Sequence, residues 1–102
     1  MVKHVVCFKM KPENAVENAK ELAARFREIS TTIPGCVQCE AGLNHNISEK
    51  QFYELGLSQT FESREALQAY LTHPLHMALR EYVFMVIDHR IVVDFDLQQM
   101  QA

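Results

Sequence analysis

The feature that most constrains the fold of this chain is the period of its apolar residues, which switches between two residues and about 3.6 residues. A two-residue period is typical of strands and a 3.6-residue period of helices. The segments follow in the order strand, helix, strand, strand, helix, helix, strand, at residues 3–10, 14–30, 36–43, 52–61, 63–71, 74–86 and 88–96. This order predicts an α+β, ferredoxin-like βαββαβ protomer, with helices on one face of an antiparallel four-stranded sheet.

Capping residues and helix breakers set several of the predicted ends. Asn14 with Glu17 matches a capping box at the start of the first helix, and Ser63 matches an N-cap of the second. The turn at residues 33–35 ends the first helix, and Pro74 separates the second helix from the third. These signals support the helices independently of their apolar period.

The first strand carries apolar side chains on both of its faces. Val6 and Phe8 point to one side, together with His4, whereas Val5 and Cys7 point to the other. Helices on one face of the sheet leave the second apolar face open to water. The same face of another copy would cover it, with two-fold symmetry. The pattern therefore predicts a homodimer whose two sheets close into a dimeric α/β barrel.

Length and charge exclude several classes of protein. The 102 residues, 48% of them hydrophobic, predict one domain over residues 1–97 and a C-terminal tail at 98–102. The net charge of -3 and the lack of a basic face argue against a nucleic-acid partner. Because there is neither a signal peptide nor an apolar run long enough to span a bilayer, we expect a cytoplasmic protein without a membrane partner.

Metal and redox sites are weakly indicated. Cys36 and Cys39 form a C-x-x-C, but strand alternation would place them on opposite faces, so we expect packing and not redox chemistry. His73 and His76 are three residues apart, with Pro74 breaking the helix that would align them. Three aspartates of the last strand are expected to face solvent on its outer side or to pair with lysines: Asp88, Asp94 and Asp96. We predict no metal and no cofactor.

The candidate reactive residues are His4 on the first strand and Tyr70, His73 and His76. The last three belong to the run Tyr70-Leu71-Thr72-His73-Pro74-Leu75-His76. With the segments 4–9, 33–35, 42–44, 60–63 and 92–95, this run resembles the stress-responsive A/B barrel (Dabb) family over essentially the whole chain. The resemblance implies a ferredoxin-like protomer and a dimeric barrel. The family includes plant proteins that accumulate under stress, bacterial members of unknown activity, and a polyketide cyclase of the olivetolic-acid type.

The resemblance to the cyclase implies candidate roles. The cyclase closes a linear poly-β-ketone by an intramolecular aldol step, in which the tyrosine and the last histidine of the YxxHPxH run act together. These positions match Tyr70 and His76, and a pocket histidine on the first strand matches His4. His76 would serve as the base, since histidine titrates near neutrality, and Tyr70 as the donor to the developing oxyanion, without cofactor.

This sequence also departs from the cyclase. A pocket histidine on the third strand falls at Leu55, and a tyrosine on the first helix falls at Phe26. The pocket is therefore predicted to be more apolar and to take a different substrate. We count Phe26, Leu55 and His73 with His4 as predicted substrate-binding residues, beside the predicted catalytic pair.

Two functions follow from this. The first is a small dimeric protein that binds or cyclises a small β-keto or aromatic compound, as a cofactor-independent lyase or isomerase. The alternative is a non-catalytic, stress-associated dimer with a structural or partner-binding role. In that case the interior is filled, with Tyr70 bonded to a backbone carbonyl, His73 closing its helix and His76 anchoring the next one. The space between His4, Tyr70 and His76 discriminates the two.

Overall fold

The secondary structure follows the predicted order. A computed structural model describes residues 1–46, 48, 50 and 52–97; the predicted tail at 98–102 lies outside the described residues. The elements are β1 (Val2–Met10), α1 (Ala15–Thr32), β2 (Cys36–Leu43), β3 (Leu55–Phe61), α2 (Arg64–Leu71), α3 (Pro74–Val86) and β4 (Ile87–Asp96). The ferredoxin-like prediction is confirmed, with its second helix divided in two; the third strand begins at 55 and not at 52. None of the described helices is both long enough and apolar enough to span a membrane.

The sheet is antiparallel throughout, with strand order β2-β3-β1-β4. In its register, His4 of β1 lies opposite Gln59 of β3 and Asp94 of β4. Residues opposite each other in adjacent strands point to the same face. The three polar side chains therefore lie on one face of the sheet.

The helix-side face of the sheet, marked on β1 by His4, Val6 and Phe8, carries the core. Burial alternates strictly along β1, and all three of these side chains are buried. Phe26 of α1 packs on Phe8, with ring centroids 5.6 Å apart. The predicted alternation of the first strand is therefore confirmed, and α1 covers the middle of the face that carries Val6 and Phe8.

The open face of the sheet is apolar at its centre, where Val5 pairs with Val93 and Cys7 with Ile91. Ile91 and Val93 are 47% and 52% exposed. The helices lie on the opposite side, so the described part of the protomer leaves these four side chains uncovered. The two-faced apolar pattern of the first strand is thus present in the structure, and it continues onto β4.

Two local predictions are wrong. Asn14 precedes α1 with a φ of 54°, and its side chain makes no capping hydrogen bond, so the capping box with Glu17 does not form. Alternation also fails at the start of β2, where the register shifts between Cys36 and Gln38. Because of this irregularity, Cys36 and Cys39 both pack against the core instead of pointing to opposite faces. Burial raises the pKa of the Cys36 thiol, which disfavours a reactive thiolate.

Candidate functional site

A cavity of about 220 Å³ lies between the helix-side face of the sheet and the helices. Its apolar lining comes from β1, α1, β3 and α2: Val6, Phe8, Phe26, Leu57 and Leu71. Val92 of β4 adds to its edge, and the polar side chains that reach it are His4, His76, Arg80, Arg90 and Asp94. An apolar pocket with a few convergent polar groups is the usual form of a small-molecule site.

His76 is held by the break between the two helices. Pro74 starts α3, so the carbonyl of Leu71 at the end of α2 has no partner within its own helix. Nδ1 of His76 donates to that carbonyl over 3.0 Å. A carbonyl only accepts, so Nδ1 carries the proton and Nε2 of the neutral ring keeps its lone pair.

The surroundings of His76 favour the neutral ring. Burial lowers the pKa of His76 below its ordinary value of 6.5, and the positive charges of His4, Arg80 and Arg90 lower it further. The hydrogen bond to Leu71 opposes these effects and does not outweigh them. A half-buried imidazole that is neutral at neutral pH is suited to act as a general base.

Tyr70 lies behind His76. Its side chain is fully buried, and its ring centroid is 4.8 Å from that of His76. The hydroxyl accepts a hydrogen bond from Nε2 of Gln59 at 2.9 Å, and the same amide nitrogen donates to Ser30 Oγ at 2.8 Å. Burial raises the pKa of Tyr70 to about 12. The hydroxyl thus lies in a buried polar cluster, not against a backbone carbonyl, and Tyr70 does not line the cavity.

His4 and Asp94 form a hydrogen-bonded pair on the helix-side face. Nδ1 of His4 bonds to Oδ1 of Asp94, and the His4 side chain is 8% exposed. A carboxylate only accepts, so Nδ1 carries a proton and Nε2 is the nitrogen left for a ligand. The prediction that Asp94 and Asp96 face solvent or pair with lysines is wrong, because the register turns Asp94 towards His4 and Asp96 pairs with Arg64.

His73 acts as a cap. Its Nδ1 accepts a hydrogen bond from the backbone nitrogen of Leu75 at 3.1 Å, which makes it the N-cap of α3 and not the last residue of α2. Neither His73 nor Leu55, a core residue of β3, lines the cavity. Of the six predicted site residues, the structure brings three to the cavity: His4, Phe26 and His76.

Sequence reasoning missed Arg80, Arg90 and Asp94. On β4 the residues that share a face with Arg90 are more polar than Ile91 and Val93, which suggests that Arg90 points outward. Pairing β4 with β1 reverses this, because Arg90 lies opposite Phe8 and Asp94 opposite His4. The register between these strands is the signal that identifies all the β4 residues of the site.

The fold and the cavity define a class: ferredoxin-like α+β proteins with a small cavity between sheet and helices. The family model of the stress responsive A/B barrel domain matches residues 2–97, and the chain belongs to this family. The resemblance found in the sequence is thereby confirmed. No curated protein matched the chain.

Solved structures agree with the family. A dimeric protein of unknown function and ferredoxin-like fold from Bacteroides fragilis is 28% identical, over 93% of this chain and 94% of that one, with a TM-score of 0.75. A protein from Arabidopsis thaliana is 27% identical over 94% of both chains, with a TM-score of 0.83. A hydroxynitrile lyase from Passiflora edulis is 13% identical over 92% of this chain and 90% of that one, with a TM-score of 0.81, and shares the fold alone.

Proposed function

We propose that this protein is a homodimer that binds a small carbonyl compound in the cavity of each protomer and performs cofactor-free acid–base chemistry on it. The observation that carries the proposal is the position of two histidines in one apolar cavity, each held through Nδ1, by Leu71 for His76 and by Asp94 for His4. Because Nδ1 is engaged in both rings, Nε2 is the reactive nitrogen of each. In this proposal they serve as the two groups that enolate chemistry needs, a base and a hydrogen-bond donor.

The homodimer is supported by the open face. Its apolar side chains Val5, Cys7, Ile91 and Val93 form a continuous patch on two paired strands. The similar solved structure from Bacteroides fragilis is described as dimeric. A second copy of the same face would bury the patch symmetrically. In this proposal the sheet faces join the protomers, and each cavity stays on the helix side.

The proposed reaction begins with proton transfer from the carbon next to a substrate carbonyl to Nε2 of His76. The electron pair of the broken C–H bond forms an enolate. When His4 carries both ring protons, its Nε2–H donates a hydrogen bond to the enolate oxygen while Asp94 accepts from Nδ1. The enolate carbon then attacks a second carbonyl of the same substrate, and the new alkoxide takes the proton back from His76. The product has the same atoms as the substrate, so this sequence is an isomerisation, which falls within the expected lyase-or-isomerase class.

Tyr70 takes a positioning role in this proposal. Its ring packs on His76, and its hydroxyl, which accepts a hydrogen bond from Gln59, does not line the cavity. Burial raises the pKa of Tyr70 to about 12, so the phenol is neutral near neutral pH. Of the pair expected from the resemblance, the geometry therefore supports His76 in contact with substrate and Tyr70 acting through it.

The test is exchange of the α proton of ethyl benzoylacetate for deuterium, followed by NMR above the buffer background. We expect His76→Ala to reduce the enzymatic rate to background, because Nε2 of His76 is the proton acceptor of the proposed reaction and His4 serves as its donor. His89→Ala is the matched control, since His89 is exposed and bonded to the Tyr53 hydroxyl away from the cavity. A full rate in His76→Ala would remove the proposed catalytic role.

One observation favours the alternative of a non-catalytic dimer. His76 also joins two helices, because its bond to the Leu71 carbonyl spans the break at Pro74. On that basis His76→Ala would lower stability alone, and wild type would show neither exchange nor ligand binding. The cavity weighs against this alternative, since a purely structural protein is expected to fill the space beside His4 and His76.

A further inference from the structure

The edge of the cavity carries two arginines. Arg80 lies on α3 and Arg90 on β4, and both line the cavity. Their guanidinium carbons lie 5.2 and 5.0 Å from the ring centroid of Phe84, so both groups lie beside the same aromatic ring. We call Arg80 and Arg90 the arginine pair.

The arginine pair lacks a carboxylate partner among the residues that the structure describes. The ion pairs in that part of the chain involve Arg25, Arg64, Lys9 and two histidines, and none includes Arg80 or Arg90. Burial and the charge of Arg80 both lower the pKa of Arg90. Two like charges that share one ring repel each other, and an anion placed between them would relieve that repulsion.

The cavity has two chemically different ends. Arg90 and Asp94 are four residues apart on β4, roughly 13 Å along the strand. The carboxylate of Asp94 is engaged by His4 at one end, and the arginine pair stands at the other. His76 and Arg80 are four residues apart on α3, which makes them neighbours on one helix face. The apolar lining lies between these groups.

From this arrangement we propose that the ligand is an organic carboxylate, whose carboxylate binds the arginine pair while its apolar body lies over Phe8, Phe26 and Leu57. The inference rests on the proposed function and names its substrate class: a carbonyl compound that also bears a carboxylate. Guanidinium groups bind carboxylates through paired, charge-assisted hydrogen bonds. The carbonyl then lies along the apolar body, within reach of His76 and His4.

The experiment compares 3-phenylpropanoate with its neutral analogue 3-phenylpropanamide by calorimetry and NMR on the full chain. We expect wild type to bind the carboxylate at least roughly tenfold more tightly than the amide, since a hydrogen bond between charged groups contributes at least the free energy that corresponds to a tenfold change in affinity. The double variant Arg80→Gln, Arg90→Gln should lose the preference and still bind the amide. Arg25→Gln should keep the preference, because Arg25 of α1 stacks on Tyr82 of α3, outside the cavity.

Each other outcome has a distinct meaning. Equal affinity for the two probes in wild type overturns the inference and leaves the proposed cavity function standing, whereas no binding of either probe removes both. Inorganic phosphate that binds at the arginine pair as tightly as the carboxylate would overturn the organic part of the inference. Should the double variant fail to fold, the same comparison is made on wild type at increasing NaCl concentration. The inference requires that salt reduce the preference for the carboxylate over the amide, and an unchanged preference overturns it.

Discussion

The two faces of the sheet differ in a way that reverses a simple expectation. On β4 the side chains turned towards the helices include Arg90 and Asp94, whereas those turned away from them include Ile91 and Val93. On β4 the more apolar face is thus the one that the helices leave uncovered, whereas β1 and β3 turn core residues towards the helices. A polar inner face makes sense where it borders a cavity, and an apolar outer face where a second copy covers it. The comparison therefore separates the two proposals, a cavity on the helix-side face and a dimer interface on the open face.

The largest effect is expected when a charge is placed on the open face, the proposed dimer interface. Val93→Asp should convert the proposed dimer to monomer, raising its dissociation constant by roughly 100-fold or more, because an unpaired carboxylate would have to be buried. Analytical ultracentrifugation measures the change. Val16→Asp is the control, since Val16 on α1 is also 52% exposed but lies among the helices. Monomeric wild type, or a dimeric Val93→Asp, would contradict the assignment of the open face.

The second prediction concerns Tyr70 of α2, which packs on the helix side of the sheet, and tests whether its hydroxyl serves stability or the reaction. Tyr70→Phe leaves the buried amide of Gln59 without one of its two acceptors, and we expect it to reduce the free energy of unfolding by about 1–3 kcal/mol. The exchange rate should change only a few-fold, because the hydroxyl does not line the cavity. Urea denaturation and the exchange assay separate the two effects. A loss of ~100-fold or more in rate at unchanged stability would instead make Tyr70 the oxyanion donor that the resemblance implied.

The smallest expected effect concerns the charge of His76. Because its pKa is lowered in the folded state, the unfolded chain binds more protons once the pH falls below 6.5. Stability should therefore be complete above pH 6.5 and decrease as the pH falls towards the lowered pKa. His76→Gln should remove this part of the pH dependence, as the glutamine amide has no such titration. NMR of the His76 ring should give a midpoint below 6.5, and a midpoint above it would contradict the proposed base.

Much of the fold was predictable because its signals are local. The two-residue period of β1 and the helical period of α1 each depend on neighbours within a few residues, and so does the N-cap, where Ser63 Oγ accepts from the backbone nitrogen of Ala66 at 3.0 Å. The site was predictable only in part. His4 and His76 were found through the family resemblance, whereas nothing in the sequence around Arg80 and Arg90 indicates that they line a cavity.

The sequence by itself determined the order of elements, the helix break at Pro74 and the two-faced first strand, because side-chain period and proline geometry act over short stretches of chain. Only the tertiary structure decided which side of β4 faces the helices, since the register between β1 and β4 depends on residues some ninety positions apart. That register brings Asp94 to His4. The tertiary structure also decided the hydrogen-bond partner of the Tyr70 hydroxyl, which is Gln59. A buried hydroxyl is normally hydrogen-bonded, and only the packing of the core decides which group lies within reach.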